Sequence, residues 1–445
     1  MKKFPNALVI MIAFIVIATL MTYVIPSGSY ERITDPLTNK TSVVEGSYKT
    51  IEANPVSFFE MLVSIPEGIN SRADLVTLIL LIGGCFYVIE KTGALKDGIT
   101  YLTAKLEGKE QIAIIIVSIA FLFGGASVGL QEELVAMTPV ILYLCAKLGY
   151  NSYVAVGCSF GSAIIGAAFS PINPFAAVLA QNEVGLPFLS GLEFRLIVLA
   201  IAFIVWMYLL LRYGRKNRVQ KSKTEEIISN SIPIRSLIIL GLLGITFGIV
   251  IYGMLYLNWE FNQMTAVFFM LGILAGLIGK LGVNKTAEIY NEGFSLIIFA
   301  GIIVGLSSSI SIILEKGMII DTIIYALFQP MQHLPKEIAA VSMMTSQSAL
   351  HFVVASYSGQ AILTMPILAP LSDLIGISRQ VCVLAYQYGA VMTDLFIPTN
   401  GALMAVLAIA GIDFNKWFKF ALKLGFFIFL VASIAIVVAI SIGLQ

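Results

Sequence analysis

Long apolar stretches constrain this chain more than any motif in it. Predominantly apolar segments run over 4–25, 73–91, 153–182, 190–213, 236–257, 261–281, 292–314, 380–410 and 417–442. At about 1.5 Å of rise per helical residue, each can cross about 30 Å of hydrocarbon. With 58% hydrophobic and only 12% charged residues, a soluble fold could not cover itself. The sequence therefore predicts an all-α polytopic membrane protein with about nine transmembrane helices. A net charge of +1 offers no field for nucleic acid, and no such partner is expected. The first run follows Met1-Lys2-Lys3 as a signal peptide would, but it is too long and lacks a small-residue cleavage site, so a retained helix is expected. Cys85, Cys145, Cys158 and Cys382 lie in apolar segments without metal-ligand spacing and read as small core residues.

Two other apolar regions, 111–150 and 338–377, behave differently. Each is about 16 apolar residues, a small and polar patch, then about 16 more, and ~16 helical residues reach only ~24 Å. Both are read as re-entrant hairpins. Two ordinary helices joined by a tight turn would leave the same topology.

Lysine and arginine set the orientation. Lys2 and Lys3, the 91–110 loop (Lys91, Lys96, Lys105, Lys109) and the 212–235 loop (Arg212, Arg215, Lys216, Arg218, Lys221, Lys223, Arg235) are assigned to the cytoplasm. Counting spans then gives a cytoplasmic N-terminus and an extracytoplasmic C-terminus. The first hairpin opens from the cytoplasm and the second from outside. Segment 26–72 becomes an external loop, in which the alternation around DPLTNK predicts a short β-hairpin. Asn39-Lys40-Thr41 is a formal glycosylation sequon.

A constant shift of 227 residues pairs Pro139 with Pro366, Gly149 with Gly376, Phe169 with Phe396, Pro171 with Pro398 and Asn173 with Asn400. Such weak identity at one offset is what an internal duplication leaves. The copies run in opposite directions by the charge count, which makes an inverted-topology repeat of the kind found in secondary transporters. The division is 1–213 for the first repeat, 214–260 for a basic loop and linking helix, and 261–445 for the second repeat. "FSPINPF" (169–175) and "FIPTNGA" (396–402) then become the breaks of two discontinuous helices, 153–182 and 380–410. Proline removes a backbone donor and interrupts the helix. Asn173 and Asn400 can each cap the half-helix that follows, with Pro174 suited to a first helical position and Gly401 allowing a ligand near the backbone. Irregular backbone at membrane depth is tolerated where it lines a polar cavity, although a simple proline kink remains the plain reading of either break alone.

The first hairpin tip, "GGASVGLQEEL" (124–134), carries Glu132 and Glu133. A carboxylate at a helix N-terminus gains about 0.3–1 kcal/mol from the dipole, while a charge at mid-membrane costs about 2.5–3.5 kcal/mol. The dipole alone loses, so a cation, a proton or a wet pocket is implied. The second tip, "HFVVASYSGQA" (351–361), offers Ser356, Tyr357, Ser358, Gly359 and Gln360, with Ser358 expected to cap the returning helix. His351 reads as an interior histidine or a proton carrier. Asp394 is the other deep carboxylate, and alone it would be protonated or bind a cation. No catalytic set is expected, since there are only two histidines and no His, Asp and Glu set at metal-ligand spacing; a channel is the other class to separate from a carrier.

These residues resemble the YfcC-like branch of the anaerobic C4-dicarboxylate carrier (DcuC-type) family, within the larger ion-transporter superfamily; the branch includes arginine/ornithine antiporters. The resemblance runs nearly end to end through "TYVIPSGSYER" (22–32), "NPVSFFEMLVSIPEGI" (54–69), "QEE" (131–133), "NPF" (173–175), "SGQAILTMPILAPL" (358–371) and "IPTNGALMAVL" (397–407). It implies a bacterial inner-membrane carrier with an elevator-type architecture, a dimerising scaffold and a moving domain that holds both hairpins. Carried over by position, the site is the Glu132–Glu133 tip, the Asn173 break, the Ser358-Gly359-Gln360 tip and the Thr399-Asn400 break. The residue reading adds Ser356 and Asp394. Na⁺ or H⁺ is the expected coupling ion, Na⁺ being placed near Asn173 and Asn400, and no metal centre or other cofactor is expected. The chain departs from the family at "VVASYSG" (353–359), where a proline-containing "VPSGSG" is usual, and at Asp394, where asparagine is expected. With acidic residues near the centre and no matching pair of Arg or Lys to hold a dicarboxylate, a basic amino acid exchanged across the membrane is the expected substrate. An Na⁺- or H⁺-coupled C4-dicarboxylate or other carboxylate is the alternative.

Overall fold

The computed structural model describes residues 7–34, 41–44, 46–105, 109–187, 189–219, 232–257, 259 and 261–445. The DPLTNK turn, Asn39 and Lys40 of the sequon, Lys2, Lys3, Lys221 and Lys223 lie outside the described residues. The chain begins with α1 (Ala7–Val24), whose buried Met11, Ile15 and Ala18 face the protein. Four short strands follow: β1 (Gly28–Ser29), β2 (Arg32–Thr34), β3 (Thr41–Val43) and β4 (Lys49–Thr50). β2 pairs antiparallel with β3 and β1 with β4, so strands do flank the expected turn.

The remainder of 26–72 corrects the expectation of a loop. Phe58–Ser71 forms α2, started by a capping box in which Ser57 accepts from Glu60 N and the Glu60 carboxylate accepts from Ser57 N. That signature, Ser57 followed by Glu60, is legible in the sequence. A one-residue interruption at Arg72 leads into α3 (Ala73–Lys91), which continues in the same direction along the helix formed later by 283–316, and then α4 (Ala94–Lys105). The first hairpin comprises α5 (Glu110–Val128) and α6 (Glu133–Lys147). The first broken helix starts as α7 (Ser152–Val156), passes through a π-turn at Gly157–Gly161 and continues as α8 (Ser162–Phe169). After the break, a π-turn at Pro174–Val178 leads into α9 (Leu179–Glu183). α10 (Leu192–Lys216), α11 (Ile234–Tyr256), α12 (Phe261–Ile278) and α13 (Val283–Lys316) follow. The second half is completed by α14 (Ile320–Phe328), α15 (Lys336–His351), α16 (Tyr357–Leu374), α17 (Arg379–Thr393), α18 (Gly401–Ala410) and α19 (Phe414–Ser441).

Among the described residues, seven helices are long and apolar enough to cross a membrane. This makes the chain a multi-pass membrane protein. Six of them coincide with predicted spans, and the seventh is 110–127, the first arm of the predicted hairpin. α1 and α11 are apolar but contribute shorter windows.

Two packing groups position the site. α1, α2, α3 and α12 pack on α13, while α5 packs along α8, α15 along α17 and α10 along α19. α18 touches both α13 and α6 and so lies where the groups meet. Glycine sets the closest approach in the first group. A Cβ on Gly68 would stand 2.2 Å from Ser309 Oγ and 2.7 Å from Ser309 N, so only glycine lets α2 lie this close to α13. That approach carries Arg72, one residue beyond α2, onto α13, where its Nε donates to Ser308 Oγ at 3.2 Å.

Candidate functional site

A helix broken inside a protein leaves orphan carbonyls on one side and orphan amides on the other. At the first break both sets are satisfied by side chains. Asn173 Oδ1 accepts from Phe175 N (3.0 Å) and Ala176 N (2.9 Å), while its Nδ2 donates to Gly125 O (2.9 Å) on α5. Ser170 Oγ donates to Ala126 O and accepts from Ile172 N and Asn173 N. On the carbonyl side, Gln387 Nε2 of α17 donates to Ala167 O (2.9 Å) and Ser170 O (2.8 Å). Arg195 of α10 donates to Ser170 O and to Gln387 Oε1. Sequence reasoning passed over Arg195, a lone cation inside the apolar 190–213 run. It is fully buried, and no acidic partner is recorded for it among the described residues. Its place at the C-terminal end of a half-helix offsets the negative pole there.

The second break is held more lightly. Asn400 Oδ1 caps α18 by accepting from Leu403 N (2.7 Å), and Trp417 Nε1 satisfies Leu395 O (2.7 Å). Both asparagines, 227 residues apart, are therefore caps as expected. Their side-chain oxygens hold helix ends. At the second tip the expected cap is corrected. Ser356, not Ser358, is the N-cap of α16, accepting from Gly359 N (3.2 Å), because the helix starts at Tyr357 and Ser358 already lies inside it.

The ends meet around a cavity of about 250 Å³. Of the sequence-derived residues, Glu132, Glu133, Ser356, Ser358, Asp394 and Asn400 line it. Asn173, Gly359, Gln360 and Thr399 are not among its lining residues. Glu133 lies with its Oε2 accepting from Gln131 N (3.2 Å). Four helix N-termini reach the cavity, at Glu133, Phe175, Tyr357 and Gly401. Each contributes a fraction of a positive charge.

Arg72 lines the same cavity, with Ser307 and Ser308 of α13. It is a cation that sequence reasoning did not place at the centre. Its sequence position, just before a predicted span, reads as a helix flank; only the α2–α13 approach turns it inward. A second cavity of about 290 Å³ shares Arg72, Ser307, Ser308 and Ser356, and continues past Ser311 to Glu315. α13 thus presents a polar track leading away from the site.

Asp394 is not alone, as the sequence reading supposed. Its Oδ2 accepts from Gln131 Nε2 (2.8 Å) of the first tip, and its Oδ1 lies 3.0 Å from His351 Nε2 at the end of α15. One carboxylate thus joins both tips to the second break. Each contact spans hundreds of residues or crosses between helices, so spacing alone gave no sign of it.

The chain matches the family described as "C4-dicarboxylate anaerobic carrier" (DcuC) over residues 4–441. It belongs to that family. An uncharacterized protein of Haemophilus influenzae is 30% identical, with 99% of this chain and 97% of the relative covered. The Escherichia coli protein named "Putative basic amino acid antiporter YfcC" is also 30% identical, covering 97% of this chain and 96% of the relative. Among solved structures, the Alcanivorax borkumensis YdaH transporter is similar over 99% of both chains at 14% identity and a TM-score of 0.46. Neisseria gonorrhoeae MtrF is similar at 14% identity and a TM-score of 0.43, over 98% of this chain and 95% of that one. As a member of the DcuC family the chain is a membrane transporter, not an enzyme, and its partners are a small-molecule substrate and the lipid bilayer.

Proposed function

We propose that the chain is a secondary active carrier for a basic amino acid. The observation that carries this is the charge count of the cavity. Glu132 and Glu133 line it with no ion-pair partner recorded among the described residues, Asp394 is engaged by His351, and Arg72 is the one cation. A basic amino acid presents two cationic groups and one carboxylate. Two carboxylates and one guanidinium are its complement, with the helix N-termini at Tyr357 and Gly401 reinforcing the carboxylate end. A C4-dicarboxylate would need the reverse. The size agrees, since about 250 Å³ lies near the low end of pockets that hold small molecules, roughly 300–1,000 Å³.

In this reading the two hairpins and broken helices move against the α13 group by an elevator-like step, in a homodimer in the bacterial inner membrane. With the N-terminus cytoplasmic, the serine track along α13 leads to the extracytoplasmic face. The first test is uptake of radiolabelled arginine, ornithine and lysine into proteoliposomes, beside succinate and fumarate. Saturable uptake with counterflow of a basic amino acid supports the proposal and separates a carrier from a channel. Robust succinate uptake without any basic amino acid uptake refutes it.

A further inference from the structure

Hydrogen-bond parity around His351 fixes more than the position of a side chain. Gln360 Nε2 donates to the backbone carbonyl of Gln347 at 2.9 Å, and a carbonyl can only accept. The same Nε2 also meets Gln347 Oε1. Gln347 Nε2 in turn donates to Thr364 Oγ1 (2.9 Å), which donates to Gln360 O (2.8 Å). The amide of Gln360 is therefore oriented, and its Oε1 is the atom that faces His351 Nδ1, at 2.6 Å. An amide oxygen accepts, so Nδ1 carries a proton. In a neutral imidazole the other nitrogen, Nε2, is then bare. Yet Nε2 lies 3.0 Å from Asp394 Oδ1. Two acceptors at that distance repel unless a proton lies between them.

We propose that His351 and Asp394 form the proton-binding site of this carrier, holding one exchangeable proton between Nε2 and Oδ1. The pair is neutral with the proton and carries one negative charge without it. This deepens the proposed function and rests on the carrier reading. Asp394 is 1% exposed and His351 0%, yet Asp394 forms part of the substrate cavity wall. A proton leaving Oδ1 therefore enters the space the substrate uses. Once it leaves, Asp394 adds a negative charge to that wall and loses its attraction to the end of α15, while Gln131 still holds its other oxygen. A cationic substrate gains the charge the proton gave up. Substrate cation and proton become alternative occupants, the condition for exchange.

The charged and titratable groups around the pair leave that proton as the variable. Tyr357 of α16 stacks over the imidazole at 5.6 Å between centroids, and Tyr386 of α17 donates to Tyr357 O. Glu132 and Glu133 at the start of α6 and Arg72 at the α2–α3 junction line the same cavity as Asp394. α18 offers only the neutral Asn400. α14 and α19 also pack on α15, but Asp321 of α14 is paired with Arg32, and Asp413, Lys416, Lys419 and Lys423 of α19 are exposed.

The chain has two histidines, so ¹⁵N-imidazole labelling of the full protein in lipid nanodiscs tests the pair directly. His333→Gln leaves the His351 signals alone. The expected result is an Nδ1 that stays protonated and an Nε2 that moves towards the bare-nitrogen position as pH rises. Asp394→Asn abolishes the movement, and adding lysine at fixed pH drives it. In parallel, below the midpoint of the pair each pH unit upward tightens lysine binding about tenfold, since one proton leaves per cation bound. A His351 with bare Nδ1, or an Nε2 that does not respond from about pH 5 to pH 9, overturns the proposal. The titration needs no substrate. If it appears while basic amino acids are not transported, the substrate reading falls and the proton site stands; transport without titration means the opposite.

Discussion

The two breaks make a quantitative prediction because an asparagine caps the half-helix after each, in unequal surroundings. Asn173→Ala removes three hydrogen bonds: two accepted from Phe175 N and Ala176 N and one donated to Gly125 O. Gly125 O keeps a second donor, Gly129 N, so it is not orphaned. Phe175 is exposed and its amide loses little, but Ala176 is fully buried. A buried amide without a partner costs about 1–3 kcal/mol, and the lost donation to Gly125 about 1 kcal/mol. The expected total is about 3 kcal/mol. Asn400→Ala removes one backbone cap bond, from Leu403 N, an ordinary cap loss of about 1–2 kcal/mol, together with a side-chain contact to the Asp394 carboxylate. The assay is unfolding of each variant by sodium dodecyl sulfate in mixed micelles, followed by far-ultraviolet circular dichroism. Asn173→Ala should be the more destabilised by about 1–2 kcal/mol, the difference between those two costs. Equal losses, or a larger loss at Asn400, would refute the argument that the first break is tied to the hairpin beside it.

Arg72→Gln should weaken binding of a basic amino acid about 10–100-fold, the range of a charge-assisted hydrogen bond, and leave its decarboxylated amine nearly unchanged; an equal loss for both in calorimetry would remove Arg72 from the carboxylate end. Ser356→Ala should cost about 1 kcal/mol of stability as a cap loss, and Ser358→Ala close to nothing; the reverse order in the same unfolding assay would restore Ser358 as the cap. At Gly125 a Cβ would stand 2.0 Å from Ala163 O, a backbone atom that cannot swing away. Gly125→Ala should therefore force α5 off α8 and sharply reduce the monodisperse fraction in size-exclusion chromatography, and an unaltered profile would contradict this packing. Arg195→Met should keep thermal stability within a few degrees, because a buried charge exchanged for an apolar side chain is often tolerated, while uptake falls at least tenfold; full uptake would show that the charge behind the first break is dispensable.

The amino-acid sequence by itself determined the membrane class, the limits of most helices and the two breaks. These follow from local physics: apolar length sets spans, and proline with asparagine interrupts and restarts a helix within four residues at the first break and seven at the second. The β-pairing around 35–40 and the cap roles of Asn173 and Asn400 were legible for the same reason. The capping box at Ser57 and Glu60 was equally local and was passed over because 26–72 had been assigned as a loop. What the sequence could not give was who meets whom. Arg72 enters the cavity only because Gly68 lets α2 lie against α13. Asp394 finds His351 and Gln131 only when both hairpin tips close on the second break. Arg195 reaches Ser170 and Gln387 across three helices. Side chains on one helix have a fixed period and can be read in order. The charge balance of a site assembled from six segments depends on interhelical distances, and those only the tertiary structure decided.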